Sequence, residues 1–192
     1  MMPVYRPAAS SILRSFRASG KRHLLLTGGR GIGKTTLLRD MARQISNGIN
    51  GTYKKVVVID ERNELAGKVG DEFTRDVGMN TDVITGFDKP KAIENAIRTM
   101  SPQVIVCDEI SAPKELDSIR FGFACGVNYL LSVHIGKQQD LYTKPIVRLM
   151  LSMGEFEKLI LLDEDYSAKI LDAREILNEI HRRSNNSCVI ID

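Results

Sequence analysis

Runs of apolar residues alternate with segments of helical periodicity through most of the chain. The apolar runs predict four β-strands, at residues 23–27, 55–60, 104–107 and 128–133. The first three runs are almost uninterrupted, which is typical of parallel strands that are covered on both faces. The helical periodicity predicts helices at residues 34–46, 89–100 and 114–125. This alternation predicts an α/β fold of three layers, with a mostly parallel sheet and helices on both of its faces.

The two ends of the chain depart from this alternation. A short helix is predicted at residues 8–19, before the first strand. After the fourth strand, Lys144 and Pro145 begin a predicted helix that continues to residue 153, because proline is favoured in the first turn of a helix. The remaining pattern predicts an antiparallel pair at residues 158–163 and 167–171, and a last helix at residues 174–183.

A glycine-rich segment lies between the first predicted strand and the first predicted helix. Residues 28–35 read Gly-Gly-Arg-Gly-Ile-Gly-Lys-Thr and match the phosphate-binding P-loop, G-x-x-x-x-G-K-[ST]. Glycines let the backbone N–H groups point into one concavity, and the helix N-terminus adds its positive dipole. Lys34 is expected to contact the β- and γ-phosphates of ATP, and the Thr35 hydroxyl to bind Mg²⁺. The residues predicted to bind the nucleotide are Gly29, Arg30, Gly31, Ile32, Gly33, Lys34, Thr35 and Thr36.

Two carboxylates, Asp108 and Glu109, directly follow the third predicted strand. An apolar strand that ends in this way has the form of a Walker B strand, in which the first carboxylate holds Mg²⁺, usually through water. The second carboxylate can orient or deprotonate the attacking water. Because a P-loop lies upstream, we predict that Asp108 is a metal ligand together with Thr35 and that Glu109 is catalytic.

Five polar residues, Asp-Glu-Arg-Asn-Glu at positions 60–64, follow the second predicted strand. At the carboxyl ends of parallel strands such residues face the ligand. Glu61 or Glu64 is therefore expected to position the lytic water, and Arg62 to pair with either acid. The alternative is a solvated loop without a function. Glu61, Glu64 and Glu109 are thus three candidates for the base.

Two further residues are candidates for contact with phosphate. The polar segments 75–78 and 80–82 are predicted to lie in a loop, from which Arg75 could reach the phosphate of a neighbouring subunit as an arginine finger. A surface ion pair is the alternative for Arg75. His134 ends the fourth strand beside the P-loop edge, where it is either a γ-phosphate sensor or a hydrogen-bonded structural residue.

Composition narrows the class of protein. The chain has 192 residues, of which 43% are hydrophobic and 27% charged, as in a folded globular domain. The net charge of +3 is too balanced to indicate nucleic-acid binding, and no specific nucleic acid is predicted as a partner. Cys107, Cys125 and Cys188 have neither metal nor redox spacing, which favours a reducing cytoplasm. Cys107 and Cys125 are predicted to be small core residues.

Taken together, these segments resemble the stage III sporulation protein AA family of endospore-forming bacteria over residues 24–162. The most specific part is Asp-Glu-Arg-x-Glu-x-Ala-Gly at residues 60–67. The resemblance implies a RecA-like P-loop ATPase fold, similar to that of the hexameric ATPases of type II and type IV secretion and of type IV pili. It also implies Mg²⁺-dependent ATP hydrolysis by a homo-oligomeric ring that energises a channel between mother cell and forespore. The location implied is cytoplasmic, peripheral to the proteins of a membrane channel.

This chain matches the family pattern at some positions and departs from it at others. In the secretion ATPases an acidic box follows the second strand and a histidine box follows the fourth, and residues 60–64 and 132–136 match them. Asn80 stands where the family usually has arginine, and Arg75 is placed to substitute for it. The domains expected are an N-terminal region, residues 1–22, and an ATPase domain, residues 23–192. Because the family has a whole domain before its ATPase core, either the chain is trimmed or it is a minimal relative with altered assembly.

Three functional hypotheses follow from the sequence. The first is a ring-forming motor ATPase of the secretion type. The second is a small stand-alone nucleoside-triphosphatase, which also pairs a P-loop with Asp-Glu-Ile but does not explain residues 60–67. The third is a slow, nucleotide-dependent switch module, which is favoured by the absence of arginine at Asn80.

Overall fold

A seven-stranded sheet forms the centre of the protein in the computed structural model, which describes residues 12–14, 23–48, 51–70, 72–165 and 167–186. The strands are β1 (His23–Gly28), β2 (Val56–Ile59), β3 (Lys68–Val69), β4 (Glu72–Phe73), β5 (Thr81–Ile84), β6 (Val104–Cys107), β7 (Asn128–His134), β8 (Lys158–Leu162) and β9 (Ala168–Asp172). The helices are α1 (Lys34–Ser46), α2 (Lys89–Met100), α3 (Pro113–Ala124), α4 (Asp140–Thr143), α5 (Pro145–Ser152) and α6 (Ala173–Asn186).

The sheet has the order β5-β2-β6-β7-β1-β8-β9. Neighbouring strands are parallel throughout, except that β9 is antiparallel to β8. β3 and β4 form a separate antiparallel hairpin. The mostly parallel sheet and its C-terminal antiparallel pair are therefore confirmed.

Alternate residues of the strands belong to two apolar cores, one on each face of the sheet. In β1, Leu25 belongs to one core, whereas Leu24 and Leu26 belong to the other. The Leu25 side is covered by α2 to α6, and the opposite side by α1. Each aliphatic side chain that leaves water in these layers stabilises the fold by about 1.5–3 kcal/mol. The predicted three-layer arrangement is confirmed.

The prediction of a loop is wrong at Thr81 and Asp82, because Thr81–Ile84 is the edge strand β5. An edge strand is only half-buried, so it tolerates a polar pattern that is typical of a loop. Asp82 even forms an ion pair with Lys55, which immediately precedes the adjacent strand β2, with 2.5 Å between Nζ and Oδ2. The short elements β3, β4 and α4 carry too few residues for a periodic signal and were not predicted.

The predictions for the cysteines and for the N-terminal helix have different outcomes in the structure. Cys107 is fully buried as predicted, whereas the prediction of a core position for Cys125 is wrong because this residue is exposed near the end of α3. Cys188 and most of the predicted helix at residues 8–19 lie outside the described residues, although residues 12–14 are helical. Within the described part of the chain, no helix is both long enough and apolar enough to cross a bilayer.

Parallel strands bring their carboxyl ends to one edge of the sheet, and there the predicted site residues collect. Gly28 at the end of β1 is in register with His134 at the end of β7. Ile59 at the end of β2 is in register with Cys107, which immediately precedes Asp108. Because β7 lies between β1 and β6, its last residue lies between the end of the strand that leads into the P-loop and the end of the strand that precedes the two carboxylates.

Candidate active site

The P-loop connects β1 to α1 through two residues with left-handed backbone conformation. Gly31 has φ of 77° and Gly33 has φ of 88°, values that glycine adopts without strain. Helix α1 begins at Lys34, so its free N–H groups and positive dipole end face the loop. The Lys34 ammonium donates to the Gly29 carbonyl at 2.5 Å, and burial lowers the pKa of Lys34 although Asp108 and Glu109 oppose this effect.

Thr35 and Asp108 are in direct contact. The Thr35 hydroxyl donates to Asp108 Oδ2 at 2.5 Å, and the Ser132 hydroxyl donates to Asp108 Oδ1. This set of hydroxyl and carboxylate oxygens fits Mg²⁺, which prefers oxygen ligands and keeps several of its waters. Among the residues that the structure describes, no group of three or more His, Cys, Asp or Glu side chains could hold a metal ion. A magnesium ion here would therefore be shared between Thr35, Asp108, water and phosphate.

Glu109 has an unusual backbone conformation. Its φ of 54° is left-handed, which a residue with a side chain adopts only when its surroundings hold it there. Its amide donates to Asp108 Oδ1 at 3.0 Å and to Ser132 Oγ at 2.9 Å, and its carbonyl accepts from Lys89 at 2.7 Å. These contacts determine where the Glu109 carboxylate lies.

Arg62 forms an ion pair with Glu109 through Nη1 and Oε2. The expectation that Arg62 pairs with Glu61 or Glu64 is therefore wrong. The reason is the strand order. Because β2 and β6 are neighbours in the sheet, Arg62, which follows β2, lies close to Glu109, which follows β6. Side chains of this pair are 58% and 37% exposed, so water screens the attraction between them.

A cavity of about 340 Å³ lies above these residues. The P-loop residues Arg30, Gly31, Lys34 and Thr35 form one wall. The other residues that line the cavity are Arg62, Glu64, Asp108, Glu109 and His134. This volume is within the usual range for small-ligand pockets, about 300–1,000 Å³. The structure thus brings most of the predicted site residues around one space.

The acidic segment after β2 divides into residues with different surroundings. Asp60 is buried and accepts hydrogen bonds from the backbone amides of Glu64, Leu65 and Ala66, at 2.8–3.1 Å. It therefore shapes the segment and does not face the cavity. Glu61 turns away from the P-loop, and its carboxylate lies 3.4 Å from Lys89 beside a smaller neighbouring cavity. Only Glu64 of these three acids lines the main cavity.

Arg75 lies at the edge of the site on its own chain. Its Nη1 donates to the Glu64 carbonyl at 2.7 Å, and Arg39 of α1 donates to the same carbonyl at 2.8 Å. The contact of Arg75 with a neighbouring subunit stays a prediction. Asn80, in contrast, lies beside the first residue of β2, with its carbonyl 3.0 Å from the Val56 amide. Asn80 is therefore at the edge of the sheet opposite this chain's P-loop.

His134 lies at the rim of the cavity, at the end of β7. Partial burial, and after it the positive charges of Lys34 and Lys144, lower the pKa of His134 below its ordinary value of 6.5. The Lys144 ammonium donates to the His134 carbonyl. A neutral imidazole at neutral pH can donate one hydrogen bond and accept another, as a phosphate sensor requires.

The titration of His134 provides a direct test of this arrangement. By NMR, the pKa of His134 is expected to lie below 6.5 and to rise in the Lys34→Ala variant, because a neighbouring positive charge is removed. Adding inorganic phosphate is expected to raise it as well, since the anion favours the imidazolium form. The chemical shift of exposed His181 serves as the control and should not respond to Lys34→Ala. A His134 titration that is unaffected by Lys34→Ala would contradict the arrangement.

Three residues with roles in this geometry were not identified from the sequence. Ser132 was detectable as the polar residue within the apolar run of β7, and its spacing of two from His134 places both on one face. Lys89 and Lys144 gave no such signal, because a lysine at the start of a helix is usually solvated. Their contacts form only when helices and strand ends that are distant in the sequence pack together.

Comparisons with known proteins identify the family of this chain. Residues 4–180 match the sequence model of the family described as Sporulation stage III, protein AA. The chain belongs to this family. Stage III sporulation protein AA of Bacillus subtilis (strain 168) is 32% identical over 137 residues, which cover 71% of this chain and 45% of that protein. The uncharacterized protein ycf45 of Porphyra purpurea is 29% identical over 185 residues, covering 90% of this chain and 32% of that protein. The chain thus spans less than half the length of these relatives.

Solved structures of secretion and pilus ATPases share the fold of this family member. The Brucella suis type IV secretion VirB11 ATPase, in complex with sulphate, has a TM-score of 0.56 at 12% identity, over 94% of this chain and 59% of that one. The Legionella pneumophila ATPase DotB has a TM-score of 0.59 at 14% identity, over 91% and 55%. The pilus retraction motor PilT with bound ADP has 0.59 at 15%, over 87% and 53%. The predicted RecA-like P-loop ATPase fold and the family resemblance are confirmed.

Proposed function

We propose that this member of the stage III sporulation protein AA family is a Mg²⁺-dependent ATPase that works as a ring-forming motor of the secretion type. The observation that carries the proposal is the convergence of a P-loop, a Thr35–Asp108 pair and the Glu109 carboxylate on one cavity. The bound ADP of the structurally similar motor PilT supports a nucleotide as the ligand.

The site residues divide the chemistry of hydrolysis between them. The P-loop amides and Lys34 bind the β- and γ-phosphates and stabilise the charge that develops in the transition state. Thr35 and Asp108 would hold Mg²⁺, which neutralises charge on the phosphates. Glu109 accepts a proton from the attacking water. The oxygen of that water forms a bond to the γ-phosphorus, and the bond between the γ-phosphorus and the β–γ bridging oxygen breaks. The products are ADP and inorganic phosphate. In this proposal Glu64 and His134 orient the water and the γ-phosphate.

The ring and its task are further parts of the proposal. Arg62 lines the cavity, Arg75 donates to the Glu64 carbonyl beside it, and both side chains are exposed. A neighbouring copy could therefore present its own nucleotide to one of them. An arginine supplied by a neighbour typically accelerates phosphoryl transfer by about 10³–10⁵. The family description supports a role in sporulation. As a further part of the proposal, ATP hydrolysis energises a channel between mother cell and forespore at a membrane complex.

The ring mechanism can be tested by measuring the specific ATPase activity at increasing protein concentrations. If catalysis needs a neighbouring arginine, phosphate release per protein chain should rise with protein concentration and level off once the ring has formed. Sedimentation in the same buffers should show assembly over the same range. A monomer whose activity per chain is constant would contradict the ring mechanism and favour a stand-alone nucleoside-triphosphatase.

One observation favours the slow switch as a second candidate. Arg62 engages the Glu109 carboxylate, and this contact occupies an oxygen that the attacking water would have to reach. Tight binding of ATP with very slow turnover at every protein concentration would support the switch. Turnover that increases on assembly would exclude it in favour of the motor.

A further inference from the structure

A buried lysine next to the candidate active site joins four segments of the chain. Lys89, the first residue of α2, is only 5% exposed. Its ammonium donates to the Glu109 carbonyl at 2.7 Å and lies 3.4 Å from the Glu61 carboxylate and 3.5 Å from the Glu115 carboxylate. The three N–H donors of one ammonium group therefore meet partners from the ends of β2 and β6 and from the first turn of α3.

Glu115 extends these contacts along the chain. It is buried, and its Oε2 accepts from the amides of Ser111 and Ala112, each at 2.8 Å. Lys89 and Glu115 together thus bind the backbone of residues 109–112, through the Glu109 carbonyl and the amides of Ser111 and Ala112. Burial by itself lowers the pKa of Lys89, but Cys107, Glu115 and Glu61 outweigh it, so the pKa is raised and the group is a cation at neutral pH.

The conformation of Glu109 depends on such support. A φ of 54° is unfavourable for a residue with a side chain and persists only where surrounding contacts hold it. The amide side of Glu109 is held by Ser132 and Asp108, and its carbonyl side is held by Lys89. The peptide after Glu109 has a second anchor, because the Ile110 amide donates to the Ser132 carbonyl at 2.7 Å. Loss of the Lys89 contact would leave this peptide with one anchor instead of two and would let the Glu109 carboxylate shift in the cavity.

We propose that Lys89 is a positioning residue, which holds the Glu109 backbone so that its carboxylate faces the cavity, with Glu61 as the counter-ion of Lys89 and not as a base. The kinetic part of this inference rests on the proposed ATPase function, whereas its structural part does not. Glu61 lies on the Lys89 side and lines only the smaller cavity, which distinguishes it from Glu64 and Glu109.

The test uses a charge-matched pair of substitutions. Lys89→Met alone leaves the buried Glu115 carboxylate without its cation and is expected to destabilise the fold. The double variant Lys89→Met with Glu115→Gln removes both charges and keeps an oxygen that can accept from Ser111 and Ala112. It is expected to restore the unfolding midpoint towards that of the wild type. Lys91→Met, an exposed position two residues further along α2, is the control.

Hydrogen–deuterium exchange measures the backbone effect without hydrolysis. In the double variant the amides of residues 109–112 are expected to exchange at least about tenfold faster than in the wild type, since the segment opens locally more often. Lys91→Met is expected to leave this exchange unchanged. Unchanged exchange in the double variant would overturn the proposal. If the wild type hydrolyses no ATP, the proposed function fails and this exchange measurement alone decides the role of Lys89.

Kinetics separate positioning from a purely structural role. The double variant is expected to keep its nucleotide affinity, while kcat falls about 10- to 100-fold because a small misplacement of a catalytic group is this costly. Glu61→Gln is expected to lower kcat by less than the double variant does, since glutamine still accepts from Lys89. A loss of affinity equal to the loss of kcat, or a fall in Glu61→Gln as large as in Glu109→Gln, would overturn the proposal.

Discussion

Alanine in place of Lys34 is expected to weaken the binding of ATP and ADP by about 100-fold, equivalent to ~2.8 kcal/mol. The Lys34 ammonium is half-buried at the start of α1, close to the Gly29 carbonyl, and faces the cavity beside Thr35. Hydrogen bonds to charged groups typically contribute about 1.5–3 kcal/mol, and alanine removes the donor and the positive charge together. Titration of a fluorescent ADP analogue, followed by competition with ATP, measures the change.

The fold should survive this substitution. Burial lowers the pKa of Lys34, which means that its charge is held in the folded protein at some cost. The unfolding midpoint of Lys34→Ala is therefore expected to equal or exceed that of the wild type. Lys55→Ala is the control, because Lys55 precedes β2 at the opposite edge of the sheet and pairs with Asp82. Equal nucleotide affinity in Lys34→Ala and the wild type would refute phosphate binding at the P-loop.

Glutamine in place of Glu109 is expected to leave nucleotide binding within about threefold of the wild type and to lower the rate of hydrolysis by about 10²–10⁴. The substitution keeps the shape of the side chain but removes the basic oxygen that would accept the water proton. It also removes the negative charge that engages Arg62. Single-turnover phosphate release at saturating ATP measures the chemical step apart from binding and product release.

A matched control for this second prediction is Glu94→Gln, because Glu94 is exposed on α2, remote from the cavity. It should hydrolyse ATP at the rate of the wild type. Undiminished hydrolysis in Glu109→Gln would mean that the base lies elsewhere. Glu64 would then be the residue to replace, since it lines the same cavity.

Sequence predicted the parts of the site that depend on local geometry. The P-loop was recognisable because positive φ values at Gly31 and Gly33 require glycine, and because α1 begins at once with residues that favour a helix. The predicted boundaries of α1 and α2 agree with the structure for the same reason, since their apolar spacing and their ends are determined within a dozen residues. The carboxylates after β6 were found because they interrupt an apolar run.

Features that arise from the meeting of separate segments could not be predicted in this way. The partner of Arg62 depends on β2 and β6 being neighbours in the sheet. The burial of Lys89 depends on α2, α3 and the ends of two strands converging. Edge strand β5 was mistaken for a loop because half of its surroundings are solvent, which allows the polar residues that normally indicate a loop. Sequence spacing carries none of this information.

The order of the strands also has a consequence for how the protein folds. In the sheet, β1 is flanked by β7 and β8, whose residues follow it by more than one hundred positions in the chain. Contacts between residues so distant in sequence are slow to form because a long loop must close first. During synthesis, the strand that carries the P-loop therefore has no neighbour in its sheet until β7 has been made, more than one hundred residues later. Its apolar residues are then available to chaperones and to other unfolded chains, so correct folding of the nucleotide site is a late event.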